Sequence, residues 1–280
     1  MSNTVKVIWV RCSLGLALVV GVAPPVCAVD GVVEINQARA LASGGFPVVI
    51  SEAGSYRLSG NLTVPDANTD AIHVTHDDVT IDLNGFSILG HTVCSGSPVT
   101  SCTPTGFGIG IFSQSKDNIT VVNGTVRGMG NNGIDLSAGS AGRIENVRAV
   151  SNGLAGIGTN AGSTLIGNTA QSNGSYGISA AGGSTLTGNT ARSNGGDGIS
   201  TGLASTVTGN TAQNNGGNGI NTGSNCTVIG NSASSNTGYG LNLATGTGYA
   251  NNVVNNNTGG TVFGGVQMGT NICTATTTCP

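Results

Sequence analysis

From Gly153 to Asn257 the chain repeats itself every 21 residues, in units of the form G-x-x-G-I-x-x-x-x-x-S-T-L-T-G-N-T-A-x-S-N. Asn152, Asn173, Asn194, Asn215, Asn236 and Asn257 are evenly spaced, and so are Asn168, Asn189, Asn210, Asn231 and Asn252. Apolar columns keep the same period: Ile157, Ile178, Ile199, Ile220 and Leu241; Leu165, Leu186, Val207 and Val228; Ala170, Ala191, Ala212 and Ala233. A fixed period of this length is the mark of a solenoid, because one unit buries too little to fold alone and must stack on its neighbours.

The unit is not helical. Each one carries four or more glycines among Asn, Ser and Thr, all poor helix formers, and its apolar residues are too sparse for a helical stripe. Three short extended segments fit instead: G-I-x, S-T-L-T and N-T-A-x-S, with Asn and Gly at corners where positive φ is tolerated. Stacked parallel strands lie about 4.8 Å apart and set like residues over like. An inward Asn column is then expected to bond both to corner backbone and to the Asn of the next coil, leaving no buried amide unpaired. The expected fold is all-β, a parallel β-helix of about eight or nine coils.

These runs, such as Leu186, Asn189, Ala191 and Asn194, resemble the right-handed parallel β-helix family of the pectin-lyase-like superfamily, as does Thr80–Gly85 (T-I-D-L-N-G). The resemblance spans roughly residues 50 to 260. It implies the fold and leaves the activity open, because the superfamily includes lyases, hydrolases, epimerases, adhesins and proteins without known activity.

Residues 1–28 read as a signal peptide: Lys6 and Arg11, an apolar run from Leu14 to Ala23, and a Val26-Cys27-Ala28 cleavage site. The run is too short to span a membrane, so no transmembrane segment is expected after its removal. The remainder has seven basic against twelve acidic residues, net −5, and no basic patch that would point to nucleic acid. Export to the periplasm or the outside also suits the cysteines. Cys94 and Cys102, and Cys273 and Cys279, are close enough in sequence for two local disulfides in an oxidising compartment, although four cysteines allow three pairings. Cys226 falls in the inward column of Ser163, Ser184 and Ser205 and reads as a small buried filler.

The expected organisation is an N-terminal cap and leading coil over residues 29–66, the β-helix over 67–260 with an inserted disulfide loop at 91–107, and a C-terminal cap over 261–280. Within the first part, Glu34–Ala42 reads as a short amphipathic helix that covers the open end of the stack. Tyr56 and Leu58 point inward by alternation.

Charge is scarce beyond Arg148, where only Arg192 and Asp197 remain. Any catalytic centre therefore belongs to the first three coils. Aligning Asp78-Val79-Thr80-Ile81-Asp82 with Asn118-Ile119-Thr120 and Arg143-Ile144-Glu145 predicts one outward column of Asp78, Asn118 and Arg143. A second column holds Thr80, Thr120 and Glu145, with Asp82 alongside and the disulfide loop close by. Arg127 and Arg148 are expected to stack on the adjoining face. The lyases of the superfamily hold Ca²⁺ on an acidic sugar with carboxylates and remove a proton with a basic residue. By resemblance Asp78, Asp82 and Glu145 are the candidate carboxylates, Arg143 the candidate base and Ca²⁺ the implied ion. The competing reading is a solvated polar face whose opposite charges balance across strands.

Several weaker matches lead nowhere. Asn68-Thr69-Asp70 and Asp77-Asp78 are similar to two polygalacturonase motifs but lie too close together, and the later motifs are missing. His73, His76 and His91 sit on a strand, a corner and a loop, a poor metal set. The regular coils offer something else: Thr164, Thr185, Thr206 and Thr227 form one outward column, and Ile166, Thr187, Thr208 and Ile229 form another two residues on. Such rows, about 7 Å across and about 4.8 Å between coils, resemble the ice-binding face of β-solenoid antifreeze proteins and also suit a crystalline polysaccharide. Threonine is equally a good outward strand residue for its own sake.

Three functions follow. The preferred one is an exported, non-catalytic β-helix, a binding or surface-associated module for glycans or the cell envelope, with a polysaccharide or cell-surface glycan as its partner. The second is a polysaccharide lyase or related carbohydrate-active enzyme using the early polar face. The third is an ice or crystalline-surface binder using the threonine rows.

Overall fold

A computed structural model describes residues 31–274 and 279; the segment 1–28, read from the sequence as a signal peptide, lies outside them. The described chain winds into a parallel β-helix of three sheets, almost wholly β, with one short helix. In the regular coils the first sheet is built from Ile157–Thr159, Ile178–Ala180, Ile199–Thr201 and Ile220–Thr222, Ile directly over Ile. The second is built from Thr164–Ile166, Thr185–Thr187, Thr206–Thr208 and Thr227–Ile229. The third is built from Thr169–Gln171, Thr190–Arg192, Thr211–Gln213 and Ser232–Ser234. The inward Ile, Leu/Val and Ala columns form one continuous core of fully buried residues.

The stack is longer than the eight or nine coils expected. The first sheet alone has ten rungs, from Val48–Ile50 to Gly260–Gln267. These two end rungs lack a Gly-Ile opening, yet Ile50 and Val262 still turn inward and are buried. The segment expected to cap the C-terminal end is thus largely a further coil, with Ile272–Cys273 pairing onto Val253–Val254.

All three corners are held by inward polar ladders. Between the second and third sheets the chain turns through Gly167, Gly188, Gly209 and Gly230, with φ of 63–69°, or through Asn123, Asn146 and Asn251, with φ of 53–61°. This left-handed conformation suits Gly and Asn. From Asn168 on, this corner carries a buried Asn whose side chain links to the next coil: the Oδ1 of Asn189, Asn210, Asn231, Asn252 and Asn271 accepts both the backbone N–H and the side-chain amide of the Asn one coil earlier, beginning at Asn168. A second ladder of the same kind joins Asn152, Asn173, Asn194, Asn215, Asn236 and Asn257 at the corner between the third and first sheets. At the remaining corner each backbone N–H meets the side chain one coil on, from Ser163 through Ser184, Ser205 and Cys226 to Thr247.

The N-terminal end is closed by a helix shorter than expected. Glu34 and Ile35 belong to a strand, Val32–Ile35, paired with Ser55–Leu58; the run V-V-E-I is β-branched and alternating. The helix is Gln37–Ala42, with Asn36 as N-cap accepting the Arg39 N–H at 3.0 Å. Leu58 is fully buried and Tyr56 partly so.

The insertion is an antiparallel hairpin, Val93–Gly96 with Val99–Thr103, in which Cys94 and Cys102 face each other and are bonded. It does not hang beside the first three coils. It lies down the corner between the third and first sheets: Val99 N–H donates to the Ser193 carbonyl at 3.2 Å, and Asn214 Nδ2 donates to Ser97 Oγ at 2.7 Å. Only a side-chain-free track admits it there, since a Cβ on Gly174 would sit 2.9 Å from Cys102 Sγ. Cys273 and Cys279 are also bonded.

Candidate functional site

The outward face of the second sheet gathers most of the candidate residues, in a register different from the one expected. Thr120 lies over Thr80 and under Arg143, and Val122 lies between Asp82 and Glu145. The expected register placed Ile119 inward in the strand. In the structure Ile119 is buried just before it, and Val121 takes the inward place between Ile81 and Ile144. One outward column therefore reads Ser55, Thr80, Thr120, Arg143, Thr164, Thr185, Thr206 and Thr227. Its neighbour reads Arg57, Asp82, Val122, Glu145, Ile166, Thr187, Thr208 and Ile229. The early polar rungs and the threonine rows are thus one continuous surface.

Asp78 is not part of it. It occupies a corner at φ 58° and accepts the side-chain amide of Asn118, another corner residue at φ 58°. The Arg127 and Arg148 pair is also separated: Arg127 lies beside Val150, and Arg148 beside Thr125 and Thr169. A long strand with an Asn at the corner shifts these residues by two places relative to the 21-residue count.

The charges on the second-sheet face are paired side by side. Arg57 Nε is 3.4 Å from Asp82 Oδ2, and Arg143 Nη2 is 2.7 Å from Glu145 Oε1. Asp82 Oδ1 also accepts the Asn84 N–H and the Asn123 amide. Two rungs separate Asp82 from Glu145, about 10 Å at the spacing of a parallel sheet, whereas Ca²⁺ holds its oxygen ligands at about 2.4 Å. The two carboxylates cannot share one ion, and Asp78 is off the face. Among the described residues no three His, Cys, Asp or Glu side chains converge on a metal-sized site. The arrangement therefore does not fit the Ca²⁺ centre that resemblance implied.

Further along, Thr185 with Thr187 and Thr206 with Thr208 form two complete T-x-T rows; the flanking rows end in Ile166 and Ile229. Their side chains are exposed or half-exposed above fully buried Leu186 and Val207.

The first sheet holds a group the sequence did not single out. His73, Phe112 and Asp135 follow one another in its outward column. The His73 and Phe112 rings stack at 4.9 Å, and His73 Nε2 is buried with no hydrogen-bond partner. Asp135 is held by Asn132 Nδ2 and by the backbone and hydroxyl of Ser137. The signal available was His73 between two inward residues; the coil lengths that bring Phe112 and Asp135 beneath it are irregular. The other carboxylates that drew attention in the sequence cap backbone: Asp70 accepts the Ile109 N–H and Asp77 the Asp117 N–H. Below, Asp197 accepts the Asn218 backbone and amide and the Asn221 amide. A cleft of about 410 Å³ separates the disulfide hairpin from the coil corners, with Phe107 80% exposed on its lip.

Comparison with known proteins bears on the whole solenoid. The family described as right handed beta helix region matches residues 43–187 and, overlapping them, 107–259. Among solved structures, the A-module of mannuronan C-5 epimerase AlgE4 from Azotobacter vinelandii superposes with a TM-score of 0.62 at 17% identity, covering 80% of this chain and 72% of that one. The AlgE6 A-module from the same organism gives 0.59 at 19% identity, over 80% and 71%. A mutant of the periplasmic alginate epimerase AlgG gives 0.55 at 14% identity, over 81% and 70%. At these identities the likeness is one of fold. Among curated proteins, none matches the chain.

Proposed function

Because the chain belongs to the right-handed β-helix family, we propose that it is an exported, non-catalytic module that binds a linear polysaccharide along the outer face of its second sheet. The observation that carries this reading is the state of that face. Its charges are neutralised in the pairs Arg57–Asp82 and Arg143–Glu145, so it offers no free acid–base couple. Below them Thr164, Thr185, Thr187, Thr206, Thr208 and Thr227 continue the surface as even rows of hydroxyls. A polymer with a regular repeat matches such rows through many weak hydrogen bonds, each modest alone. The names of the solved relatives support a polysaccharide as the ligand class, since they refer to mannuronan and alginate. Export is supported by the two disulfides. Among the described residues no helix is long and apolar enough to cross a membrane.

The test is retention on gels containing alginate, pectin or neutral glycans. Retention that is lost in Thr187→Tyr and Thr208→Tyr, with the fold intact, supports the reading; retention unchanged by both removes it.

A second reading, an enzyme acting on the same class of polymer, is favoured by a different observation: the unpartnered His73 Nε2 beside Phe112 and in the column of Asp135. Imidazole is a side chain suited to general acid–base work. In this reading Arg143, Glu145, Asp82 and Asp78 lie on other parts of the coil and have no part in chemistry at His73. The ice-binder reading has less support, because only two of the four regular rows are complete.

A further inference from the structure

Aromatic rings are not spread evenly over the outside of the coils. Phe112, Tyr176, Tyr239 and Phe263 belong to the first sheet or to the corner that leads into it. Among the described residues the outward columns of the second and third sheets hold no aromatic ring. Tyr176 stands at the leading corner, 41% exposed. One coil on, the same corner carries Asp197, then Asn218, then Tyr239, each joined to its neighbour through backbone or side-chain hydrogen bonds. The two tyrosines are three rungs apart, about 14 Å at the spacing of a parallel sheet. Tyr239 is held in place: its ring packs on Phe263 with centroids 5.2 Å apart and lies over Gly260, where a Cβ would come within 3.0 Å of it.

Between the tyrosines the polar groups are linked to one another. Asp197, 9% exposed, accepts Asn218 Nδ2 at 3.1 Å and Asn221 Nδ2 at 3.0 Å, and Asn221 Oδ1 accepts Asn242 Nδ2 at 3.0 Å. Asn221 and Asn242 continue the outward first-sheet column of Ser179 and Ser200. One carboxylate thus orients a row of amides, each of which retains a further N–H or oxygen lone pair for a ligand.

We propose that the strip from Tyr176 to Tyr239 is a second carbohydrate site, separate from the threonine rows, and that its ligand is a neutral polysaccharide. A pyranose ring presents C–H groups on its faces and hydroxyls around its rim, so it suits a surface where aromatic rings flank fixed amides and hydroxyls. Each contact is weak, and several along one chain reinforce one another. The charge of the strip selects the class of sugar. Asp135 and Asp197 lie on this sheet and its leading corner, and no Lys or Arg belongs to the described strands of the sheet. A polyuronate laid along the strip brings a carboxylate past Asp197 with no cation to offset the repulsion, whereas an uncharged sugar meets only hydrogen-bonding groups and rings.

Calorimetry on the oxidised protein, without residues 1–28, tests this with β-1,4-linked hexaoses of glucose, mannose and xylose, and with a hexamannuronate as the charged comparator. The expected result is binding of at least one neutral hexaose at on the order of 0.1–1 mM, with the hexamannuronate at least about tenfold weaker. Tyr176→Ala, at an exposed corner, and Asn242→Ala, in a column where other coils carry Ser or Gly, are each expected to weaken the neutral ligand at least about tenfold. Tyr176→Phe is expected to keep it, because the ring and not the hydroxyl does the stacking. Thr187→Tyr, on the second sheet, is expected to leave it unchanged, so that failure of this site and failure of the threonine rows are told apart. Circular dichroism and thermal unfolding identify any variant that fails to fold. Binding that survives both alanine variants, binding lost in Thr187→Tyr, a preference for the hexamannuronate, or no binding of any neutral hexaose at about 5 mM overturns the proposal.

Discussion

Asn189 and Asn210 are joined twice: the Asn210 Oδ1 accepts the Asn189 backbone N–H at 2.8 Å and its side-chain amide at 2.9 Å. The same Asn189 amide also donates to the Leu165 carbonyl at 2.9 Å, and the Asn189 Oδ1 accepts both bonds from Asn168. One side chain thus satisfies groups in the coil before it and the coil after it, inside a buried corner. Asn189→Ala leaves several of these groups buried without partners, each costing about 1–3 kcal/mol. We expect a loss of about 3 kcal/mol or more, seen as a large fall in the urea midpoint; a change below about 1 kcal/mol would show that the ladder contributes little to stability.

The inward hydroxyls at the end of the first-sheet strands behave in the opposite way. Thr159, Thr201 and Thr222 bury Oγ1 with no hydrogen-bond partner, in a column where Ala180 and Leu243 also serve. Thr201→Val keeps the shape and removes an unsatisfied polar atom. It is expected to raise stability by up to about 1 kcal/mol or leave it unchanged. Calorimetry of Thr201→Val against Thr201→Ser would show the sign.

Cys226 stands in a serine ladder as a working member. Its Sγ is 3.3 Å from the Ser205 N–H and 3.2 Å from the Gly202 carbonyl. Cys226→Ser is expected to be neutral to within about 1 kcal/mol, whereas Cys226→Val, which cannot accept from Ser205, should cost about 1–3 kcal/mol. In the native protein the thiol, 2% exposed, should resist aromatic disulfide reagents until the chain unfolds.

The disulfide hairpin is a clasp on the glycine track. Replacing both Cys94 and Cys102 by Ser should loosen residues 93–103 without unwinding the coils beneath, because the Asn ladders are independent of it. The expected signature is new proteolytic cleavage in the hairpin and faster amide exchange at Val99, whose N–H donates to Ser193, with an unchanged circular dichroism spectrum. Global loss of β structure would contradict this division of roles.

The fold was legible because the 21-residue period is a direct image of stacking: each Ile, Leu, Ala and Asn column in the sequence is a row of contacts in space. Even the Cys226 substitution could be placed from its column alone. The early coils were harder to read. Asn123 and Asn146 turn their corners inside eight-residue strands, Thr120–Arg127 and Arg143–Val150, so counting from one apolar residue to the next slipped by two places. Aligning Ile119 rather than Val121 with Ile144 puts Asp78 in the column of Arg143, a column that in the structure holds Thr80 and Thr120. The hairpin's destination was not legible either, since nothing local to residues 91–107 indicates that a glycine track some sixty to ninety residues away will receive it. The His73–Phe112–Asp135 column escaped notice for the same reason as the register: it joins coils of unequal length.

The central claim is that the second-sheet face binds a polysaccharide without altering it. The most direct measurement incubates the oxidised protein, without residues 1–28, with alginate and pectin, with and without Ca²⁺. It follows binding by calorimetry and, on the same samples, chain ends, unsaturated uronates and epimer composition by mass spectrometry and NMR. The account predicts binding that is weakened at least tenfold, about 1.4 kcal/mol, by Thr187→Tyr or Thr208→Tyr, with the polymer recovered unchanged. New chain ends, unsaturated products or altered epimer content that disappear in His73→Ala or Arg143→Ala would contradict it and make the protein an enzyme.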